Sequence, residues 1–213
     1  MIFDKKHMRL YAVTDRSWLN GNTLESQVEK ALKGGVTCIQ LREKHISDDE
    51  FLQEAYKIKE LCHRYSVPFI INDNVDIAIK CCADGVHVGQ EDMTSCDVRK
   101  KIGNKMILGV SAHTLEQAID AQENSADYIG VGAMFSTSTK LDADAVSNET
   151  LKEICSAVSI PVVAIGGINK DNIKLLRDTG INGVALVSAI FASENIKDEC
   201  QQLLKLSESV VGL

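Results

Sequence analysis

The chain has 213 residues, 45% of them hydrophobic and 25% charged, which is enough for one hydrophobic core and is typical of globular domains. Its 23 Lys and Arg residues against 30 Asp and Glu residues give a net charge of -7. This balance argues against nucleic-acid binding, because phosphate contacts need clustered cations. The absence of a long apolar stretch or an apolar leader argues against a membrane span or a signal peptide. We therefore expect one cytoplasmic domain over residues 1–213.

The seven cysteines are an odd number without the spacing of metal ligands. The adjacent pair Cys81 and Cys82 is too close for a CxxC site. We interpret the cysteines as small core residues in a reducing compartment, with neither a disulfide framework nor a structural zinc ion.

Apolar segments with the composition of buried strands recur along the chain, separated by helix-like segments. The predicted strands are residues 9–15, 38–43, 68–73, 85–89, 106–112, 128–133, 161–167 and 183–189. The predicted helices are residues 24–34, 48–65, 74–82, 94–101, 114–124, 147–157, 169–178 and 194–210. Local signals mark helix starts: Ser47 precedes three acidic residues, and Thr114 precedes Gln117 by three positions, the spacing of a capping box.

Eight strand–helix alternations predict parallel strands joined by helical crossovers. We interpret them as a single α/β domain, a (β/α)8 TIM barrel. An open doubly wound sheet is the alternative, but it normally carries a glycine-rich turn after its first strand. The corresponding turn here, TDRSWLNGN, has no GxGxxG motif.

In such barrels the chemistry lies at the C-terminal ends of the strands. Nearly every predicted strand delivers polar or glycine residues to that rim. In strand order these are Gln40, Arg42 and Lys44, then Asn72 and Asp73, Asp92, Ser111, the loop 134–140, Gly166 and Gly167, and Val187 with Ser188.

The second strand raises a question of charge. Side chains alternate faces along a strand, so Gln40, Arg42 and Lys44 share one face and Glu43 lies on the other. Two cations on one face repel each other unless an anion lies between them. The pattern predicts either an anionic ligand at the end of this strand or plain solvent.

Two carboxylates beside these cations suggest a metal and a diphosphate. Asp73 and Asp92 each follow a predicted strand, and Lys140 ends the sixth loop. Mg²⁺ prefers one or two carboxylates with waters and phosphate oxygens, while Arg and Lys grip phosphate. The alternatives are a helix N-cap for Asp73 and an exposed loop acid for Asp92.

A second anion site is predicted at the last two strands, where Gly166 and Gly167 would let backbone N–H groups approach a phosphate. A Gly-Gly turn formed for steric reasons alone is the alternative. The segment STSTK, residues 136–140, offers hydroxyl and N–H donors for an anion, with a solvent loop as its alternative. His113 is interpreted as structural, and His87 as a packed or hydrogen-bonded core residue.

Taken together, these motifs resemble the thiamine-phosphate synthase family, also called thiamine-phosphate pyrophosphorylase. The similarity runs in order over residues 8–192. It rests on YAVTD, QLREK, IINDN, DGVHVGQED, GVSAHTLEQA, YIGVGAMFSTSTK, VVAIGGI and GVALVSAI.

The resemblance implies a barrel transferase that joins hydroxymethylpyrimidine diphosphate to hydroxyethylthiazole phosphate and releases pyrophosphate. It implies that the C–O bond to the diphosphate breaks early and leaves a pyrimidinylmethyl cation. The implied pyrimidine diphosphate site is Gln40, Arg42, Lys44, Asn72, Ser111 and Lys140. Of these, Arg42, Lys44, Ser111 and Lys140 would carry the catalytic roles. The implied thiazole phosphate site is Thr137, Ser138, Thr139, Gly167, Val187 and Ser188, and Asp73 with Asp92 would hold Mg²⁺.

This sequence departs from the family where Ala133 and Ser136 stand, since the family often has Pro at both positions. Two other functions stay open: a thiazole tautomerase on the same barrel, and a non-catalytic binder of thiamine precursors. The oligomeric state is also open.

Overall fold

The computed structural model describes residues 3–136 and 145–213. Eight parallel strands close into a barrel in chain order, from β1 beside β2 round to β8 beside β1. The predicted (β/α)8 fold is therefore confirmed. The strands are β1 Leu10–Val13, β2 Cys38–Leu41, β3 Phe69–Asn72, β4 Gly85–Val88, β5 Ile107–Ala112, β6 Tyr128–Val131, β7 Val162–Ile165 and β8 Gly183–Leu186.

Helices follow the strands around the outside of the barrel. They are α1 Leu24–Lys33, α2 Asp48–Arg64, α3 Val75–Lys80, α4 Ser95–Ile102, α5 Leu115–Glu123, α6 Asn148–Ala157, α7 Ser188–Phe191 and α8 Ile196–Val210. Short 3-10 turns occupy Lys5–Met8, Arg16–Trp18 and Ile173–Leu176. Within the described ranges no helix has both the length and the apolar character needed to cross a membrane.

The start signals of two helices can be compared directly with the structure. Ser47 caps α2 through the N–H of Glu50, and the Glu50 carboxylate returns to the N–H of Ser47 at 3.0 Å. Thr114 caps α5 through the N–H of Gln117. Gln117, however, accepts from the N–H of His113 at 2.7 Å, so the second half of that predicted capping box is wrong.

The predicted helix 169–178 is also wrong, because only the 3-10 turn Ile173–Leu176 forms there. Asparagine side chains instead bond backbone N–H groups at the start of this segment in a local turn. Asn169 Oδ1 accepts from the N–H of Asp171 at 2.9 Å, and Asn172 Oδ1 accepts from the N–H of Asn169 at 2.8 Å. Such local bonds compete with helix formation. The predicted strand 183–189 likewise ends at Leu186, and α7 begins at Ser188.

Two apolar layers hold the barrel together. One lies between the strands and the surrounding helices, and the other fills the barrel interior with residues such as Tyr11, Ile70 and Tyr128. Phe3 packs on this inner layer, with its ring centroid 5.5 Å from that of Tyr128. All seven cysteines lie in the described ranges, and all are free thiols.

A two-strand unit repeats four times around the barrel. Just before each even-numbered strand, a polar side chain accepts a hydrogen bond from an N–H at the start of the preceding odd-numbered strand. The four pairs are Leu10 N to Thr37 Oγ1 at 2.9 Å, Phe69 N to Asp84 Oδ2 at 2.9 Å, Leu108 N to Asp127 Oδ2 at 2.8 Å and Val162 N to Asn182 Oδ1 at 2.9 Å. In each unit the residue two positions before the polar one has a positive φ. The repeat therefore joins neighbouring strands at their N-terminal ends, on the side of the barrel opposite the predicted site.

Removing one of these acceptors should destabilise the fold. In Asn182→Ala the N–H of Val162 loses its acceptor, which should lower the free energy of unfolding by about 1–3 kcal/mol. Urea unfolding measures the change. Asn182→Asp, which keeps an oxygen acceptor, is the matched control. Equal destabilisation by Ala and Asp would contradict the role of this hydrogen bond.

Candidate active site

The charged residues that follow β2 point in different directions and have different partners. Gln40 faces the barrel interior and is 6% exposed, whereas the Glu43 side chain points the other way and is 2% exposed. Glu43 accepts from Arg16 Nε at 2.8 Å. Burial raises the pKa of the Glu43 carboxyl, and the Arg16 guanidinium opposes that shift. The predicted opposition of Gln40 and Glu43 is confirmed, and Glu43 fixes the β1–α1 loop to the rim.

Arg42 is held in place by the end of β1. Its backbone N–H donates to Thr14 Oγ1 at 3.0 Å, and its Nη1 lies 3.4 Å from Asp15 Oδ2. Asp15 is a site residue that sequence reasoning missed, although it belongs to the YAVTD segment. The available signal is its position as the last residue of the predicted strand 9–15.

Lys44 and Asp73 form an ion pair at the same rim, with Nζ 2.5 Å from Oδ2. Asp73 has a positive φ of 61°, and Asn72 Nδ2 contacts its other carboxylate oxygen. Asn74, rather than Asp73, caps α3 by accepting from the N–H of Ile77 at 3.0 Å. The N-cap alternative for Asp73 is therefore wrong, and its carboxylate stays at the rim beside a cation.

Asp92 lies next to this pair. Burial raises the pKa of the Asp73 carboxyl, Lys44 lowers it, and the nearby Asp92 carboxylate raises it further. Asp92 Oδ2 accepts from the N–H of Gly89 at 2.6 Å. Two neighbouring carboxylates match the donor set of Mg²⁺, which completes its shell with water and phosphate oxygens. No cluster of three or more His, Cys, Asp or Glu ligands occurs among the residues that the structure describes.

The barrel interior below the rim contains a continuous chain of hydrogen bonds. Gln40 Nε2 donates to the Tyr11 hydroxyl at 2.9 Å, and the Tyr11 and Tyr128 hydroxyls are 2.7 Å apart. His87 lies 3.0 Å from the Tyr128 hydroxyl through Nδ1 and 3.0 Å from Ser111 Oγ through Nε2. The chain therefore joins two predicted pyrimidine-site residues, Gln40 and Ser111. His87 is therefore a hydrogen-bonded core residue.

At the end of β7, Gly167 has a φ of 63° and lies against the segment that follows β6. A Cβ on Gly167 would come within 2.5 Å of the Ser136 carbonyl oxygen and 2.7 Å of the Phe135 carbonyl oxygen. Phe135 N–H donates to the Gly166 carbonyl at 3.0 Å. Steric demand therefore explains this turn independently of any phosphate.

The ends of β6 and β8 complete the described rim. His113 Nδ1 lies 2.5 Å from the Gly132 carbonyl oxygen, which agrees with a structural role. Val187 is the N-cap of α7, and Ser188 is its first residue. The first N–H groups of a helix have no intrahelical acceptor, so this end of α7 supplies donors. Thr137, Ser138, Thr139 and Lys140 lie outside the described residues.

Comparison with known proteins agrees with this architecture. A family model described as thiamine monophosphate synthase matches residues 10–190. A curated thiamine-phosphate synthase of Ruminiclostridium cellulolyticum is 55% identical over 197 residues, which cover 92% of this chain and 94% of that protein. The curated thiamine-phosphate synthase of Clostridium tetani is 51% identical over 194 residues, which cover 91% of this chain and 93% of that protein.

A solved structure shows the same similarity. The thiamine phosphate pyrophosphorylase from Pyrococcus furiosus is 37% identical to this chain and superposes with a TM-score of 0.90. The superposition covers 98% of this chain and 99% of the other.

Proposed function

Because the chain belongs to the thiamine monophosphate synthase family, we propose that it catalyses the following transferase reaction. Thiamine-phosphate synthases share about half of its residues over most of its length. The protein joins hydroxymethylpyrimidine diphosphate to hydroxyethylthiazole phosphate, which gives thiamine phosphate and pyrophosphate. The observation that carries the proposal is the rim at β2 and β3, where Arg42 and Lys44 lie beside carboxylates. A tautomerase acting on a thiazole monophosphate has no diphosphate to place between these cations.

The cations of the rim would hold the diphosphate and stabilise its departure. Arg42 is tied to Asp15 through Nη1, but a guanidinium has five N–H donors. It can therefore keep this partner and still donate to phosphate oxygens. Lys44 and Lys140 would add point charges, and the three cations together stabilise the negative charge that develops on the leaving pyrophosphate.

The pyrimidine ring would lie over Gln40, Asn72 and Ser111. Breaking the C–O bond leaves a pyrimidinylmethyl cation, whose charge the electron-rich aminopyrimidine spreads over its ring. The thiazole nitrogen then supplies the electron pair for the new C–N bond. The chain needs no covalent nucleophile for this substitution.

The thiazole phosphate would be anchored at β7 and β8, through Gly167, Val187 and Ser188, and by Thr137, Ser138 and Thr139. Anchoring the phosphate places the thiazole nitrogen at attack distance, which is a proximity effect. The same placement favours attack on the cation by the thiazole nitrogen over attack by water.

Mg²⁺ fits the carboxylate pair, and we propose that Asp73 and Asp92 hold it. When bound, the ion neutralises charge on the diphosphate as a Lewis acid. Lys44, which pairs with Asp73, would then be released toward the phosphate oxygens.

One assay tests this function against its alternatives. The protein is mixed with both substrates and Mg²⁺, and thiamine phosphate and pyrophosphate are quantified. Equal molar amounts of both products are expected. Isomerisation of the thiazole phosphate without pyrophosphate release would instead indicate a tautomerase, and binding without turnover would indicate a non-catalytic binder.

Lys140 gives a prediction about the two anion sites. Lys140→Ala should weaken binding of the pyrimidine diphosphate about tenfold or more and leave binding of the thiazole phosphate unchanged, because the lost charge belongs to the diphosphate site. Separate titrations of the two substrates measure this. Lys152→Ala, which removes the same charge from the exposed face of α6, is the control. Equal weakening of both substrates by Lys140→Ala would contradict the division into two sites.

A further inference from the structure

The interior hydrogen-bond chain can take a single direction. Gln40 Nε2 donates to the Tyr11 oxygen at 2.9 Å. One arrangement of the remaining protons directs the Tyr11 proton at the Tyr128 oxygen, 2.7 Å away, although either hydroxyl can be the donor of that bond. The Tyr128 proton is then directed at His87 Nδ1 at 3.0 Å. A neutral imidazole that accepts at Nδ1 carries its proton on Nε2, and Nε2 lies 3.0 Å from Ser111 Oγ. In this arrangement every proton along the chain points from Gln40 toward Ser111.

The direction fixes what the two ends can offer a ligand. Because Gln40 uses Nε2 within the chain, its carbonyl oxygen is left to accept. Because Ser111 accepts from His87, its own O–H is left to donate. An acceptor at Gln40 and a donor at Ser111 together complement an aminopyrimidine edge, where an exocyclic amino group donates and the neighbouring ring nitrogen accepts. A 4-oxo pyrimidine has the opposite pattern, a carbonyl beside a ring N–H.

We propose that Tyr11 and Tyr128 are positioning residues that set the direction of this chain and thereby select a 4-aminopyrimidine over a 4-oxopyrimidine. The inference rests on the proposed function, and it assigns a role to two tyrosines that lie buried in the barrel interior below the rim.

The surroundings of the chain support this role. Tyr11 is 1% exposed and Tyr128 0% exposed, and burial raises the pKa of both hydroxyls well above the usual value, so both remain proton donors. Gly109 leaves room for the contact between Tyr128 and His87. A Cβ on Gly109 would overlap the Tyr128 phenol and lie 2.5 Å from His87 Nδ1. The missing side chain of Gly109 thus leaves the space in which Tyr128 and His87 meet.

Substitution of either tyrosine should break the hydrogen-bond chain that links Gln40 to Ser111. In Tyr128→Phe, His87 Nδ1 loses its donor, so the imidazole can move its proton to Nδ1 and accept from Ser111 at Nε2. Ser111 then no longer donates to the ligand. In Tyr11→Phe, the Gln40 amide loses the acceptor that orients it and can turn over. Both changes weaken the amino ligand and remove the penalty on the oxo ligand.

The experiment is calorimetric titration with the 4-amino pyrimidine diphosphate, its 4-oxo counterpart and inorganic pyrophosphate. The wild-type protein should prefer the amino compound. Tyr128→Phe and Tyr11→Phe should each lower that preference at least about tenfold, which is about 1.4 kcal/mol. Pyrophosphate binding should not change. Tyr65→Phe, which removes a hydroxyl that bonds Glu29 at 3.3 Å on the outer helices, should leave all three affinities unchanged.

The outcomes separate this inference from the proposed function. If the wild-type protein binds neither pyrimidine and forms no thiamine phosphate, the proposed function itself is overturned. If the wild-type protein is active and both Phe variants keep its preference, only the positioning role is overturned, even where both ligands bind more weakly. Circular dichroism establishes that each variant folds, and if Tyr128→Phe does not, the Tyr11→Phe result decides.

Discussion

Asp73→Asn and Asp92→Asn should each lower kcat by two or more orders of magnitude, about 3 kcal/mol in activation free energy, with little change in the free energy of unfolding. Both carboxylates lie at the rim, and Asp92 is close enough to Asp73 to raise the pKa of its carboxyl. An amide keeps the shape of the side chain but removes the charge that Mg²⁺ requires. The apparent Mg²⁺ affinity, measured from the metal dependence of the rate, should fall together with kcat.

Asp76→Asn is the matched control for these variants. Asp76 lies on the first turn of α3 and pairs with Lys101 on the outer surface at 2.7 Å. Its substitution should leave kcat and the metal dependence unchanged. Full wild-type activity in EDTA would contradict the metal role of Asp73 and Asp92.

The same pair predicts a pH dependence of metal binding. Burial and the Asp92 carboxylate raise the pKa of Asp73, against the opposing effect of Lys44. Protons compete with a metal for a carboxylate, so the apparent Mg²⁺ affinity should fall as the pH decreases through that raised pKa. In Asp92→Asn the fall should move to lower pH, since one cause of the raised pKa is gone. Metal titrations across pH measure this, and an unshifted midpoint would count against the coupling.

The sequence predicted the parts of the site that depend on strand periodicity. Gln40 on β2 and Glu43 just beyond its end point in opposite directions because side chains alternate along an extended chain. Asp73 and Asp92 meet because the C-terminal ends of parallel strands form one rim. Neither conclusion needs a distance between remote residues, so both follow from local patterns.

The sequence could not predict contacts that cross the barrel. The Tyr11–Tyr128 hydrogen bond joins residues 117 positions apart, and it exists only once β1 and β6 face each other across the interior. The ion pair between Arg42 and Asp15 likewise depends on the pairing of β1 with β2. Helix 169–178 was mispredicted for a local reason, because periodicity does not show that Asn172 captures backbone groups.

Gly167→Ala should damage both substrate sites, although sequence reasoning assigned Gly167 to the thiazole phosphate alone. A non-glycine residue in the left-handed region costs about 1–2 kcal/mol. In addition, the new Cβ would lie 2.5 Å from the Ser136 carbonyl oxygen. The segment from Met134 to Ser136 would have to leave β7, to which Met134 N–H is bound through the Ile165 carbonyl at 3.0 Å.

The expected result is a fall in kcat/KM of at least about 100-fold, about 3 kcal/mol, for both substrates. The displaced segment leads directly into residues 137–140, which carry Lys140 as well as the proposed thiazole phosphate donors. Gly21→Ala is the matched control: Gly21 has a φ of 81°, and a Cβ added there would meet no atom within 4 Å. This variant incurs the conformational cost without the clash, so it should lose stability but keep its kcat/KM. If Gly167→Ala instead impaired only the use of the thiazole phosphate, the contact with Ser136 would have no effect on the diphosphate site. That result would favour the interpretation that Gly167 lets backbone N–H groups approach the thiazole phosphate.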